Sequence, residues 1–219
     1  MIVVVFDNPS LREQAVVLWR EAFGDSEEYI RFFHNTHSSC VCLTLEEKGA
    51  LASALYLIDG ELCSQKGLYL FAAATFKKHR GKGLMAKLLQ KAEEYARQNA
   101  KSFIALVPAE ASLFDYYSRF GYKTAFYADK RSIGSEFSAD GVNMFCWSAG
   151  HIGYIIKEQE KYGTRLYECG AVTFSVYEGG YIKTPADKSE ENRYGMLLPL
   201  SSEANRLVEL NSYIGLTLE

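Results

Sequence analysis

Several common signatures are missing from this sequence, and each absence removes a class of protein. Only four of the 219 residues are proline and the formal net charge is −3, with a pI near 5.9. There is no global basic footprint, so nucleic acid is not expected as the main partner. No stretch approaches the roughly 20 apolar residues that a membrane-spanning helix needs, so no membrane partner is expected. The apolar start, Ile2 to Phe6, is short and lacks the basic flank of a secretion signal. Five cysteines give an odd count with no C-x-x-C pair, the usage of a reduced, intracellular chain, and a cytoplasmic location is expected. The triphosphate loop G-x-x-x-x-G-K-[ST] is absent, and Gly81-Lys82-Gly83-Leu84-Met85-Ala86 has no acidic partner about 20 residues on, as a dinucleotide fingerprint requires.

What remains is a globular composition with abundant aromatics. Fifteen tyrosines and 13 phenylalanines favour β-rich structure or aromatic-lined clefts. Residues 2–6 read as a strand. Ser10, three residues before Glu13, has capping-box spacing, and Leu11, Ala15, Leu18, Trp19 and Ala22 recur at helical spacing up to Gly24. Asp25 or Ser26 can cap a second helix carrying Tyr29, Ile30 and Phe33. Strands are expected over 40–45 and 50–58, with Asp59-Gly60 as a hairpin signal leading into 61–76. A helix over 82–99 places Leu84, Leu88, Ala92 and Tyr95 on one stripe. Strand 102–107, a short helix ending near Gly121 and strand 122–129 follow. The chain is then polar over 130–140, a plausible linker. Beyond it the pattern predicts strand 142–147, helix 149–162, strands 166–177, 181–184 and 193–199, helix 201–211 and strand 213–218.

The segment from Tyr69 to Met85 is the most informative. A strand runs into a basic turn with glycines at 81 and 83, then into a helix. Glycine lets the backbone turn tightly and approach a ligand closely. The helix offers unpaired N–H groups and the positive end of its dipole. Lys78, Arg80 and Lys82 surround the same point, and pyrophosphate is the ligand such a cradle suits best. A Gly-x-Gly pair alone is weak, since many strand–helix turns carry one without a ligand.

Two stretches together resemble the GNAT acyltransferase superfamily. Lys78-His79-Arg80-Gly81-Lys82-Gly83 is similar to its acetyl-CoA signature Q/R-x-x-G-x-G/A, with Lys78 where Gln or Arg is usual; lysine keeps the charge and loses the planar fork. Downstream, Leu113 to Tyr122 resembles the closing segment A-x-x-x-Y-x-x-x-G-F/Y, with Leu113 where Ala is common. The resemblance covers about residues 1–130. It implies a mixed α/β central sheet flanked by helices over 1–132; the remaining chain is outside it, and its own pattern reads as a smaller C-terminal α+β region over 140–219.

The resemblance also implies direct acetyl transfer from acetyl-CoA to a primary amine in a ternary complex. By position, the amides of Arg80 to Leu84 would hold the pyrophosphate, with Lys78 and His79 in the same turn. The main chain of Ala73 and Thr75 would pair with the pantetheine arm. Tyr117 falls at the general-acid position, with Tyr116 beside it as a competitor. The acceptor would be a small-molecule or peptide amine, and the C-terminal region would cover the acceptor pocket or make a homodimer interface.

The general base stays open at this point. Residues 67–76 carry no acidic side chain; Asp59 and Glu61 are nearest in sequence, and a water relay or the C-terminal carboxylate are alternatives. No metal is expected, since His34-x-x-His37 has helical spacing without an evident third ligand. Two other readings remain: an acyl-CoA-binding regulatory module without catalysis, and a structural protein whose glycine turn is only a turn.

Overall fold

The computed structural model describes residues 8–37, 39–135, 137, 139–163, 166–169 and 172–217. The strand expected over 2–6 lies outside them. Helix α1 (Pro9–Phe23) begins two residues earlier than a capping box at Ser10 would give. Asn8 is the N-cap and accepts from the Leu11 N–H at 3.2 Å, while Pro9, with its fixed φ, occupies the first turn. Gly24, left-handed at φ 83°, closes the helix as expected. Ser26 caps α2 (Glu27–Thr36), whose first turn carries Glu27 and Glu28.

Strands β1 (Val41–Glu47), β2 (Ala50–Leu62) and β3 (Gln65–Thr75) form an antiparallel meander. The hairpin expected at Asp59-Gly60 is not there. The chain runs straight through and turns at Cys63 and Ser64, both at positive φ (50° and 62°). Gly60 serves packing instead: a Cβ on it would sit 2.2 Å from the Phe145 ring, and its cross-strand partner Gly67 would meet Phe103 at 2.3 Å. Helix α3 (Leu84–Gln98), β4 (Phe103–Leu106), α4 (Ser112–Ser118) and β5 (Lys123–Ser132) follow.

Then come β6 (Asn143–Met144), β7 (Cys146–Trp147) and α5 (Ala149–Tyr162), with Ser148 as its N-cap and Gly163 at its end. The chain continues through β8 (Leu166–Cys169), β9 (Val172–Tyr177), β10 (Tyr181–Pro185), β11 (Arg193–Pro199) and β12 (Ser212–Tyr213). The helix expected over 201–211 is a 3-10 segment over Ala204–Glu209.

The main strand order is β1-β2-β3-β4-β11-β5-β10-β9-β8. β11 is antiparallel to both β4 and β5 and lies between them, so a strand from the 140–219 segment completes the sheet begun by residues 1–132. Strand alternation divides the core between the two sheet faces. Ala54, Tyr56, Tyr69, Phe103 and Ala105 pack with α1, α2 and α5; Leu55, Leu57, Leu68, Leu70, Ile104 and Leu106 pack with α3 and α4.

Candidate active site

The site begins where two parallel strands part. β3 and β4 pair only over Gly67–Tyr69 and Phe103–Ala105. Past that point β3 continues to Thr75 with no partner on its β4 side among the described residues. A bulge sits in the freed stretch: Ala54 pairs with Ala74 and Tyr56 with Phe71, so Ala72 and Ala73 face the single residue Leu55. Ala72 is at φ 45°, a left-handed conformation that costs a non-glycine residue about 1–2 kcal/mol.

The gap is a cavity of about 560 Å³ passing between the two faces. On the α3/α4 face it is lined by Leu70, Leu106, Phe114 and Tyr117, and on the α1/α2 face by Trp19, Phe23, Asp25, Tyr29, Phe71 and Tyr194. Lys183 and Arg193, from β10 and β11, also line it. The segment 140–219 therefore builds part of its wall.

Tyr117 sits on α4 and is 8% exposed; burial, then the neighbouring Tyr116, pushes its phenol up to about 12. It stays protonated at every ordinary pH. Tyr116 packs against Tyr117 and Phe120 and does not line the cavity. Asp59 forms an ion pair with Lys101 and Glu61 is exposed; neither lines the cavity. Glu219 lies outside the described residues.

The cradle follows β3. A 3-10 turn over Lys77–His79 leads to Gly81 (φ 76°) and Gly83 (φ 73°), the latter capping α3 without any side-chain bond. A Cβ on either glycine would have nothing within 4 Å, so both positions border open space. The N–H groups of Gly81, Lys82 and Gly83 make no backbone hydrogen bond among the described residues, and those of the first turn of α3 have no intrahelical partner. This is the geometry an anionic diphosphate fits.

The cations around it are partly engaged. Lys82 Nζ and His79 Nδ1 reach Glu47 Oε2 at 2.8 and 2.5 Å, and the Lys82 ammonium holds Glu47 below the usual carboxylate range. Arg80 Nε donates to the Thr75 carbonyl at 3.1 Å. Lys78 lies 5.6 Å over the Phe76 ring. Leu84 opens α3, and Ala73 stands in the bulge.

The sequence reading missed the far side of the cavity. Asp25 Oδ2 accepts the Trp19 indole N–H at 2.7 Å, which fixes the carboxylate in the α1–α2 turn. Tyr29 donates to the buried Glu158 at 2.7 Å, and Tyr154 donates to the same oxygen, which anchors that wall to α5. The histidines are accounted for elsewhere. His34 Nε2 is 2.8 Å from Tyr56 Oη and His37 Nε2 is 3.0 Å from His151 Nδ1. Among the described residues no three His, Cys, Asp or Glu side chains gather as a metal site.

Solved structures share this architecture. The GCN5-related N-acetyltransferase from Kribbella flavida matches with a TM-score of 0.61 at 12% identity, over 93% of this chain and 73% of that one. A GNAT family N-acetyltransferase (YhbS) from Escherichia coli, solved in complex with CoA, gives 0.55 at 11% identity over 98% and 86%. A probable N-acyltransferase from Enterococcus faecalis V583 gives 0.50 at 13% identity over 59% of this chain, which spans 33% of that protein's length. No curated protein matches the chain. The fold is thus the mixed α/β fold of the N-acetyltransferases. The family model for the acetyltransferase (GNAT) domain matches residues 8–125, and the chain belongs to that family.

Proposed function

We propose that this protein transfers the acetyl group of acetyl-CoA to a primary amine by direct attack in a ternary complex. The observation that carries the reading is the cavity through the sheet at the β3/β4 parting, lined by Tyr117 on one face and by an aromatic chamber on the other, on the strand that runs on into the glycine cradle. The cradle amides of 81–84 bind the diphosphate, with Lys78, His79, Arg80 and Lys82 adding positive charge. The freed edge of β3 around Ala73 and Thr75 pairs with the pantetheine arm, and bulge amides polarise the thioester carbonyl.

In the transfer the amine nitrogen bonds to the acetyl carbon, the C–S bond breaks, the amine loses a proton and the sulfur gains one. Tyr117, protonated and facing the cavity, supplies the proton or hydrogen bond at sulfur. The amine leaves its proton on the opposite face, where Asp25 is the carboxylate in the wall. Much of the rate would come from positioning two reactants in one channel.

Residues 1–132 and 140–219 would act as one catalytic unit, because β11 fills the sheet and Lys183 and Tyr194 line the chamber. All five cysteines are free thiols, which fits a cytoplasmic setting. No helix among the described residues is long and apolar enough to cross a membrane. The test is calorimetric titration with acetyl-CoA at moderate salt. Micromolar binding supports the reading, and no binding overturns it.

A further inference from the structure

We propose that the acceptor is a monoamine with an aromatic body, its ammonium at Asp25 and its ring against the rings of the chamber. This rests on the acetyl-transfer reading above and narrows it. On the α1/α2 face the cavity is walled by Trp19, Phe23, Tyr29, Phe71 and Tyr194. Trp19 meets Phe71 and Phe23 edge to face, at 5.2 and 6.3 Å between ring centres. Such a wall offers both ring faces and ring edges to a flat group.

Phe23 is the telling residue. It ends α1, lines the cavity and is 46% exposed, whereas Trp19 one turn back is 2% exposed. A ring left open to solvent at a cavity adds little to the core, and a ligand of matching character covers it on entry. Gly24, left-handed at φ 83°, separates Phe23 from Asp25. One turn of chain therefore supplies a ring and a carboxylate to the same wall.

Asp25 is the carboxylate of this half. The buried Trp19 holds its Oδ2 through the indole N–H at 2.7 Å, and no cation pairs with it among the described residues. The other charged lining residues are engaged. The Lys183 ammonium lies 4.5 and 4.7 Å over the rings of Tyr177 and Tyr194. Arg193 pairs with Glu190 at 2.9 Å and lies over the Phe114 ring, and Glu110 takes a 3.4 Å contact from the Ser112 hydroxyl.

The chamber thus matches one positive charge on an apolar, flat body. A polyamine brings further ammonium groups out of water, and Tyr194 already carries the Lys183 ammonium. An amino acid sets a second carboxylate against Asp25, which the indole holds in place. A peptide brings backbone N–H and C=O groups that rings do not satisfy. An aliphatic amine fills the space without ring-on-ring contacts.

The test follows thiol release from acetyl-CoA with the full chain, offering phenethylamine, tryptamine, hexylamine, phenylalanine, spermidine and a short peptide with a free N-terminus. Phenethylamine or tryptamine is expected to exceed each of the other four at least about fivefold in kcat/KM. Phe23→Ala should raise KM for that amine about fivefold, hold kcat within about twofold and bring it level with hexylamine, while Phe23→Tyr keeps the lead. Asp25→Asn should lower kcat/KM for the aromatic amine and hexylamine alike, about tenfold. Calorimetric acetyl-CoA affinity should hold in all three variants, which also reports that they fold. Parity or a lead for hexylamine, phenylalanine, spermidine or the peptide overturns the proposal. So does an aromatic amine whose KM is indifferent to Phe23→Ala, or no acetylation of any of the six while acetyl-CoA still binds. If acetyl-CoA itself does not bind, the acetyl-transfer reading fails first.

Discussion

His37 Nε2 and His151 Nδ1 meet at 3.0 Å, joining α2 to α5 across 114 residues of sequence inside the buried core. His151 Nε2 lies 3.2 Å from the Leu216 carbonyl, so its Nε2 carries the proton, its Nδ1 accepts, and His37 donates. This arrangement needs His151 neutral, and burial holds His37 neutral as well. Burial lowers His37 to about 4, and burial, then the neighbouring His37, lowers His151 to about 3. His34 is likewise lowered to about 4, chiefly by burial.

The sign of the pH dependence follows. These groups titrate near 6.5 when unfolded and lower when folded, so between those values the unfolded chain binds more protons. Stability is fully present above about pH 6.5 and falls as pH drops toward 4, by about 1.4 kcal/mol per pH unit for each histidine. Thermal unfolding from pH 7.5 to 4.5 checks this. His37→Asn should flatten the slope below pH 6.5, and an unchanged slope would contradict the assignment.

Tyr117→Phe is expected to lower kcat about 100-fold while leaving acetyl-CoA affinity within about twofold. Because the phenol titrates near 12, wild-type kcat should show no alkaline limb below pH 10. Turnover equal to wild type would remove Tyr117 from the chemistry, and Tyr116→Phe serves as the neighbouring control.

Gly83→Glu should weaken acetyl-CoA binding at least about 100-fold, corresponding to about 2.7 kcal/mol. The side chain leaves a φ of 73° into open space, where the diphosphate would lie, and brings a like charge. Calorimetry measures the affinity, and a melting curve separates it from misfolding. Binding unaltered by the substitution would sink the cradle.

Ser64→Gly should raise stability. Relief of the left-handed residue at φ 62° is worth about 1–2 kcal/mol. The greater freedom of glycine in the unfolded chain returns about 0.4–1 kcal/mol. The net is a gain of roughly 0.5–1 kcal/mol, or about 2 °C in Tm for a chain of this size. A lower Tm in scanning calorimetry would show that the turn is not strained.

How much the sequence shows depends on how local each cause is. Helix α5 is legible residue by residue because its cap, Ser148, and its terminator, Gly163, lie at its own ends. The cradle is legible because a strand, two glycines and a helix are contiguous. Asp59-Gly60 misleads because the reason for Gly60 is the ring of Phe145, far along the chain. Asn8 displaces Ser10 as the cap because Pro9 favours the first helical turn. Asp25 reads as a helix cap until the fold sets it beside Trp19 and into the cavity wall. Lys183, Arg193 and Tyr194 give no local sign at all. Their role depends on where β10 and β11 join the sheet, and an apolar strand does not name its neighbours.

The position of β11 also imposes an order in time. β4 and β5 leave the ribosome well before the strand that separates them. At roughly 5–20 residues per second, these strands wait for seconds with facing edges open, a period when chaperones or another nascent chain can occupy the slot. The wall residues on β10 and β11 arrive only with the final third of the chain. Synthesis therefore yields a protein that gains its glycine turn early and the full wall of its cavity last.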